Sequence, residues 1–178
     1  MSEVIINTFP QVNRINDPIL QSKVVSCWNE ALRRGGWTTD DLEKIPFTLI
    51  FQDCRISLAT HTRAVTECSL ALGQVLHQSY AGQIKIDFDI LTAGALLHDV
   101  GKLLEYRRVD GKFVTSEGGR ILRHPISGCA LAAELGLPET VQHIIAAHSH
   151  EGDKGHRTAE AYIVHHSDFV NFDPLKDR

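Results

Sequence analysis

The sequence predicts an all-α fold carrying one short β-hairpin, and three observations support that reading. From about residue 58, apolar residues recur at three- and four-residue spacing in one segment after another. An Asp or Thr cap, or a Pro in the first turn, precedes several of these segments, and glycines follow several of them. The stretch 107–114 alternates instead. Asp110-Gly111 lies at its centre, the dipeptide favoured in two-residue hairpin turns.

In chain order, residues 1–16 read as an extended lead-in. Asp17-Pro18 supplies a cap and a first-turn proline. Ile19, Leu20, Val24, Trp28, Ala31 and Leu32 then follow at helical spacing until Gly35-Gly36. A second short helix is expected from Thr38 or Thr39 to just before Pro46. These residues hold no cluster of reactive side chains. They are assigned to an N-terminal helical extension, 1–50, packing on the main domain, 51–178, or on a partner subunit. The helix from Asp17 to Arg34 is the candidate surface for a homo-oligomer. Beyond it, Ala64, Val65, Cys68, Leu72 and Val75 form one apolar helical face. Residues 87–98 form a helix of small and apolar residues, with Gly101 just past its end. After the hairpin, Pro125 at the first helical position opens a helix that Gly136 closes. Pro138 opens the next, which runs to about His148, and 149–157 form a loop. Thr158 caps a last helix through Phe169.

Composition narrows the function. With 178 residues, 43% of them hydrophobic and 22% charged, the chain can bury a core. A disordered chain or a disulfide scaffold is excluded. A net charge of −4, without a basic stripe interleaved with aromatics, argues against a nucleic-acid partner. The cysteines at 27, 54, 68 and 129 are too far apart for a Cys-x-x-Cys zinc site and read as reduced, buried thiols. Met1-Ser2-Glu3 lacks a basic, apolar secretory start, and no apolar run has the length of a membrane span. A cytoplasmic location without a membrane partner is therefore expected. The outlier is histidine, with 10 residues against 1 Met and 2 Trp.

The histidines fall on core-facing positions. His61 shares a face with Val65, Cys68 and Leu72. His98 lies four after Gly94 and seven after Leu91, and Asp99 follows directly. His124 precedes Pro125 at a helix start. His148 lies three after Ile145 and four after Ile144, and Asp168 four after Val164. Separate helices thus each send an imidazole or a carboxylate inward. Any one alone reads as a satisfied core side chain, but buried carboxylates need partners. Together they have the make-up of a metal site in a helical bundle, and a nitrogen and oxygen set without sulfur suits Fe, Mn or Zn. Six candidates exceed the needs of one open ion. They fit two, bridged by a carboxylate across about 3.5–4 Å.

His61, then His98-Asp99, then Asp168 resembles the H…HD…D signature of the HD-domain metal-dependent phosphohydrolases, and Ala95-Leu-Leu-His-Asp-Val-Gly-Lys102 is a specific form of it. With His124 and His148 the pattern is similar to the binuclear H…HD…H…H…D branch, over roughly residues 55–172. The resemblance implies an all-α HD-domain bundle with Asp99 as bridging ligand. His61, His98, Asp99 and Asp168 would hold one ion, and Asp99, His124 and His148 the other, helped by His150. The implied cofactors are two divalent transition-metal ions, Fe or Mn before Zn, Ni or Co. The segments around Glu117-Gly118, His124-Pro125 and His148-Ser-His-Glu-Gly152 resemble the HD domain of bacterial 3′–5′ exoribonucleases. The helix spacing is similar to that of small hydrolases of dinucleoside tetraphosphates. Gly155-His156-Arg157 replaces the Gly-Tyr-Pro of cyclic-di-nucleotide phosphodiesterases, and Ser57 replaces the acidic ligand of trinuclear members.

The implied reaction is hydrolysis of a phosphoester or phosphoanhydride in a small, nucleotide-type substrate, with Asp99 and Lys102 as catalytic residues. Lys102, three after Asp99, is placed to bind a phosphate oxygen. Arg107 and Arg108 on the hairpin are candidates for guiding an anion, although a solvated hairpin explains them equally well. His150 and His165 are candidates for orienting a ligand, and His77, His143 and His156 are assigned to surface or structure. Two rivals keep the same fold: a mixed-valent di-iron oxygenase, and a non-catalytic module that binds a nucleotide.

Overall fold

The computed structural model describes residues 2–51, 54–80 and 82–176. Helix α1 spans Ser2–Thr8, and a 3-10 turn follows at Pro10–Arg14. The first sixteen residues are therefore not an extended lead-in. Ile5, Phe9 and Val12 are fully buried, and Phe9 stacks on Trp28 with ring centroids 4.6 Å apart. A helix of seven residues is too short to show a period in sequence.

Helix α2, Pro18–Gly35, starts as expected: the Asp17 carboxylate accepts from the Ile19 and Leu20 amides at 2.8 and 3.3 Å. Gly36 ends it in the left-handed region with φ 71°. Val24, Cys27, Trp28 and Ala31 are buried in the common core, whereas Ile19 is exposed. Burial pushes the Cys27 thiol up to about 12 despite nearby Arg34, so it stays protonated. Cys54, Cys68 and Cys129 are free and only half-buried. Thr38 and Asp41 cap a 3-10 turn at Thr39–Glu43.

Helix α3, Leu58–Ser79, buries Thr62, Val65, Thr66, Ser69 and Gly73 along with His61. The expected apolar face is only partly right, because Ala64, Leu72 and Val75 point to solvent. Small and hydroxyl-bearing residues let α3 lie close against α4, Phe88–Leu97. A Cβ at Gly73 would come within 2.7 Å of the Leu91 side chain, and Thr66 satisfies its hydroxyl on the Thr62 carbonyl.

Helix α4 is the axis of the fold. Every residue from Leu91 to Leu97 is buried, with α2, α3, α8 and α9 packed around it. Full burial of each Leu is worth about 1.5–3 kcal/mol. At its start, Asp89 accepts from the Asn16 and Asp17 amides at 2.9 Å, which ties the N-terminal segment to this central helix. Its end delivers His98-Asp99 to the interior.

The short helix α5, Lys102–Glu105, leads into strand β1, Tyr106–Val109, paired antiparallel with β2, Lys112–Thr115. Asp110 and Gly111 have φ 50° and 76°, the paired positive values of a type I′ turn. Helix α6, Glu117–Ile121, was not expected. Ser116 caps it through the Gly119 amide at 2.9 Å. Helix α7, His124–Glu134, begins one residue before Pro125, and α8 is Glu139–Ala147. A 3-10 turn at His150–Gly152 lies within the expected loop. Helix α9, Ala159–Phe172, is capped by Thr158 and runs three residues past Phe169. Residues before 50 and after 90 share one apolar core, in which Val24, Trp28, Leu96 and Leu103 are all buried. Among the described residues, no helix is long and apolar enough to cross a membrane.

Candidate metal centre

Two helices end in the same way. His98 follows α4 and His148 follows α8, and each ring folds back to donate Nδ1–H to a carbonyl of its own last turn, Ala95 or Ile145, at 2.7 Å. Those carbonyls are the unpaired groups every helix end presents. The bond fixes the tautomer and leaves Nε2 as a free lone pair. Both Nε2 atoms are fully buried and lack a hydrogen-bond partner among the described residues. A buried imidazole nitrogen with no partner is costly unless a cation takes its lone pair.

His124 reaches the same place from the first turn of α7. Its Nδ1–H donates to Glu105 Oε2 at 2.9 Å, and the same oxygen accepts the His124 amide at 2.6 Å. Gly101 makes this approach possible: a Cβ there would lie 2.1 Å from the His124 carbonyl oxygen. His61 enters from the first turn of α3, stacked on Phe47 at 4.2 Å between centroids, with Nε2 3.0 Å from Asp168 Oδ1 on α9.

Asp99 lies at the middle, 1% exposed, and its two oxygens face different partners. Oδ2 is 3.5 Å from His61 Nε2 and 3.4 Å from His98 Nε2. Oδ1 is 3.4 Å from His124 Nε2 and 3.7 Å from His148 Nε2. The structure thus brings His61, His98, Asp99, His124, His148 and Asp168 together. Two groups, His61–His98–Asp99 and Asp99–His124–His148, have ligand atoms close enough to share an ion.

Lys102 is buried beside them, donating to Asp99 Oδ2 at 2.6 Å and to the Phe47 carbonyl at 2.5 Å. Burial alone would lower its pKa. Asp99, followed by Tyr106 and Asp168, outweighs that and keeps it charged. Burial likewise favours a neutral Asp99, but Lys102 and His98 hold it well below the usual carboxylate range. Asp168 is held low by His61 and His98 against the same burial effect. Burial pushes His61 down, and His124 down to about 4, which keeps both rings neutral as a ligand must be. His98 is drawn upward, because Asp99 and Asp168 overcome its burial. Two ionised carboxylates and free imidazole nitrogens form a donor set that fits divalent metal ions.

A cavity of about 850 Å³ opens from Asp99, Lys102, His124 and Asp168. His150 lines its wall, although its ring is exposed and bonded to Asp153 at 2.8 Å. His165 does not line it. Its Nδ1–H donates to the His148 carbonyl at 2.6 Å and so steadies the end of α8. Arg107 and Arg108 are exposed on the hairpin outside the cavity, and Arg108 pairs with Asp41 at 2.7 Å. The cations that do line it are Lys102, Arg120, Arg123 and Lys176, and its aromatics include Phe47, Phe51 and Phe172. Sequence reading passed over Arg120, Arg123 and these phenylalanines. Glu105, the partner of His124, also carried no signal, because its role depends on a contact nineteen residues away.

Comparisons with known proteins agree with this geometry in kind. The model of the HD domain family matches residues 58–170, a span containing all six converging side chains. The chain is 36% identical, over 115 residues, to a dihydroneopterin 2′,3′-cyclic phosphate phosphodiesterase from Methanocaldococcus jannaschii; the match covers 62% of this chain and 44% of that protein. It is 34% identical, over 91 residues, to a ribonuclease Y from Acidothermus cellulolyticus, covering 51% of this chain and 16% of that protein. The chain thus spans less than half the length of these curated relatives. No solved structure matches it at the same stringency.

Proposed function

Because the chain belongs to the HD-domain family and its signature side chains meet in one buried cluster, we propose that it is a metal-dependent phosphohydrolase. In this reading it cleaves a phosphoester or phosphoanhydride bond of a small, nucleotide-type substrate at two divalent metal ions. The observation that carries the reading is the division of Asp99, with one oxygen toward His61 and His98 and the other toward His124 and His148. The printed names of the relatives, a cyclic-phosphate phosphodiesterase and a ribonuclease, support phosphodiester cleavage in particular. The nitrogen and oxygen donor set suits iron, manganese or zinc, and the likeness to the binuclear branch puts iron or manganese first.

His61, His98, Asp99 and Asp168 would hold one divalent ion and Asp99, His124 and His148 the other, and such ions would activate water near neutral pH and offset charge on the phosphoryl oxygens. The chain's own groups do the rest. Asp99 and Asp168 stay ionised and offer carboxylate oxygens. His98 and His148 are locked with their protons on Nδ1, facing away from the cluster. Lys102 holds Asp99 in its orientation and places a fixed positive charge on the cavity lining, where it can bind a phosphate oxygen. Arg120 and Arg123 add positive charge to the wall and draw an anion inward.

Protein purified without oxygen, in the presence of iron and manganese, is expected to hold close to two ions per chain by elemental analysis. It should release phosphate or a phosphomonoester without consuming oxygen. Oxygen uptake without phosphate release would replace this reading by the di-iron oxygenase; neither activity would replace it by a nucleotide-binding module. Asp99→Ala should lose both ions, with activity falling more than about 100-fold, beyond what loss of an outer partner causes. Full metal content in that variant would overturn the shared-carboxylate assignment.

A further inference from the structure

The cavity wall, like the metal cluster, has two unlike parts. On the side of His61 and Asp168 it is aromatic. Phe51 and Phe172 lie 5.2 Å apart with their planes 30° from parallel, and Phe47 and Phe169 meet Phe172 edge-on at 6.0 and 6.5 Å. Phe47 is buried and already stacked on His61. Phe51 and Phe172 are only half-buried and line the open volume, with the Lys176 ammonium 4.9 Å from the Phe172 ring centroid, so the pair offers a partly exposed aromatic edge to another ring. On the His124 side the wall is cationic. Arg120 comes from α6 and Arg123 from the residue that precedes α7. Arg123 is half exposed and has one ion-pair partner among the described residues, Glu151 at 3.0 Å, which engages only part of its donor fork. Asp99, Lys102 and the imidazoles lie between the two walls.

From this division we propose that the substrate is a single-nucleotide-sized molecule with three recognised parts. A planar heteroaromatic ring stacks on Phe51 and Phe172, the scissile phosphate meets Lys102 and the metal cluster, and a second anionic group is taken by Arg120 and Arg123. The proposal rests on the phosphohydrolase reading and adds the class of molecule the site admits. Size agrees: about 850 Å³ falls within the range of about 300–1,000 Å³ usual for small-ligand sites. A long single strand of nucleic acid is recognised differently, along a groove with cations tracking its backbone. Here the two arginines stand together near His124 and the phenylalanines cluster near His61 with Lys176 beside Phe172, which suits a short ligand with a ring at one end and a second anion at the other.

Binding to the metal-loaded protein, measured by calorimetry, tests the class independently of turnover. The probes are adenosine 3′,5′-bisphosphate, adenosine 5′-monophosphate, ribose 1,5-bisphosphate and a short oligoribonucleotide. The bisphosphate nucleotide should bind about 10-fold more tightly than either single-feature probe, the scale of one base stack or one anion contact. Phe172→Ala should remove the advantage of the ring and leave ribose 1,5-bisphosphate unchanged, while Phe172→Trp should restore it. Phe51→Ala gives an independent check should Phe172→Ala fold poorly. Arg120→Ala with Arg123→Ala should remove the advantage of the second phosphate only. Equal binding of adenosine and ribose bisphosphates would overturn the ring site. Equal binding of adenosine mono- and bisphosphate would overturn the anion site. Tighter binding of the oligoribonucleotide, or no binding of any probe while other phosphoesters are still hydrolysed, would overturn the substrate class and leave the phosphohydrolase reading intact. Binding as expected without turnover of any phosphoester would do the reverse.

Discussion

The half of the cluster built on α3, α4 and α9 and the half built on α7 and α8 meet at one carboxylate, yet they are made differently. Around His61 and His98 there is a second carboxylate within the cluster itself, Asp168, 3.0 Å from His61. At the cluster-facing Nε2 atoms of His124 and His148 there is no carboxylate besides Asp99 within 4 Å among the described residues. Negative charge instead lies one step back, in Glu105, behind His124. The first half therefore presents anionic oxygen directly to a cation. The second half presents imidazoles, one of them made a better donor by the carboxylate that holds its far nitrogen. The halves also differ in attachment. In the first, His61 and Asp168 hang on helices of 22 and 14 residues, whereas His124 depends on the close passage of Gly101 under the start of α7.

Removing one inner ligand from each half should give the largest separation. Asp168→Ala is expected to cost the ion of the first half, and His148→Ala that of the second. Each should lower activity by more than about 100-fold if, as proposed, both ions act on the same phosphoryl group. Anomalous diffraction from the metal-loaded variants locates the remaining ion. If either variant loses both ions, the halves are a single cooperative site and the comparison fails.

Gly101→Ala attacks the second half without touching a ligand. The new methyl would meet the His124 carbonyl oxygen at 2.1 Å and the Gly128 amide nitrogen at 2.7 Å, both of them backbone atoms that cannot rotate away. The start of α7 must move, carrying His124 with it. Overpacking of this kind costs about 1–3 kcal/mol. Denaturant melts should show that loss, and metal analysis should show one ion retained near His61. Two ions at unchanged stability would mean that α7 is less tightly placed than its contacts indicate.

These contrasts were only partly legible in the sequence. His61, His98, His148 and Asp168 were readable because each sits at a helical offset from apolar neighbours, and that offset survives errors elsewhere on the same helix. On α3 the apolar face was misjudged, with Leu72 and Val75 exposed and Thr62, Thr66 and Ser69 buried, yet the spacing of His61 to Val65 still pointed inward. Hydrophobicity fails there because close helix packing favours small residues, and a hydroxyl such as that of Thr66 can be satisfied within the helix. The cavity wall was illegible for another reason. Phe47 and Phe51 lie in irregular chain between the Thr39–Glu43 turn and α3, and Arg120 on a helix of five residues, where no period exists to assign a direction. Glu105 was hidden because a carboxylate at a helix end has many ordinary uses, and only the fold brings it to His124.

Glu105 offers the finest test of the comparison. Its carboxylate is buried, which by itself would raise its pKa. The hydrogen bonds from the His124 ring and amide more than offset this and keep it ionised. Glu105→Gln retains the shape and an oxygen that can accept both bonds, which fall on one carboxylate oxygen, but removes the charge behind the imidazole. Alanine would leave the amide and ring N–H of His124 unpaired and confuse donor strength with folding. The expected result for the glutamine variant is a 10- to 100-fold weaker affinity, about what loss of an outer carboxylate produces. It should be confined to the ion near His124 and His148, with the ion near His61 and Asp168 unchanged. Stepwise metal removal by a chelator, followed by elemental analysis, reads the two affinities separately. Equal weakening of both ions would show that the charge of Glu105 acts on the cluster as a whole and that the two halves differ in architecture but not in chemistry.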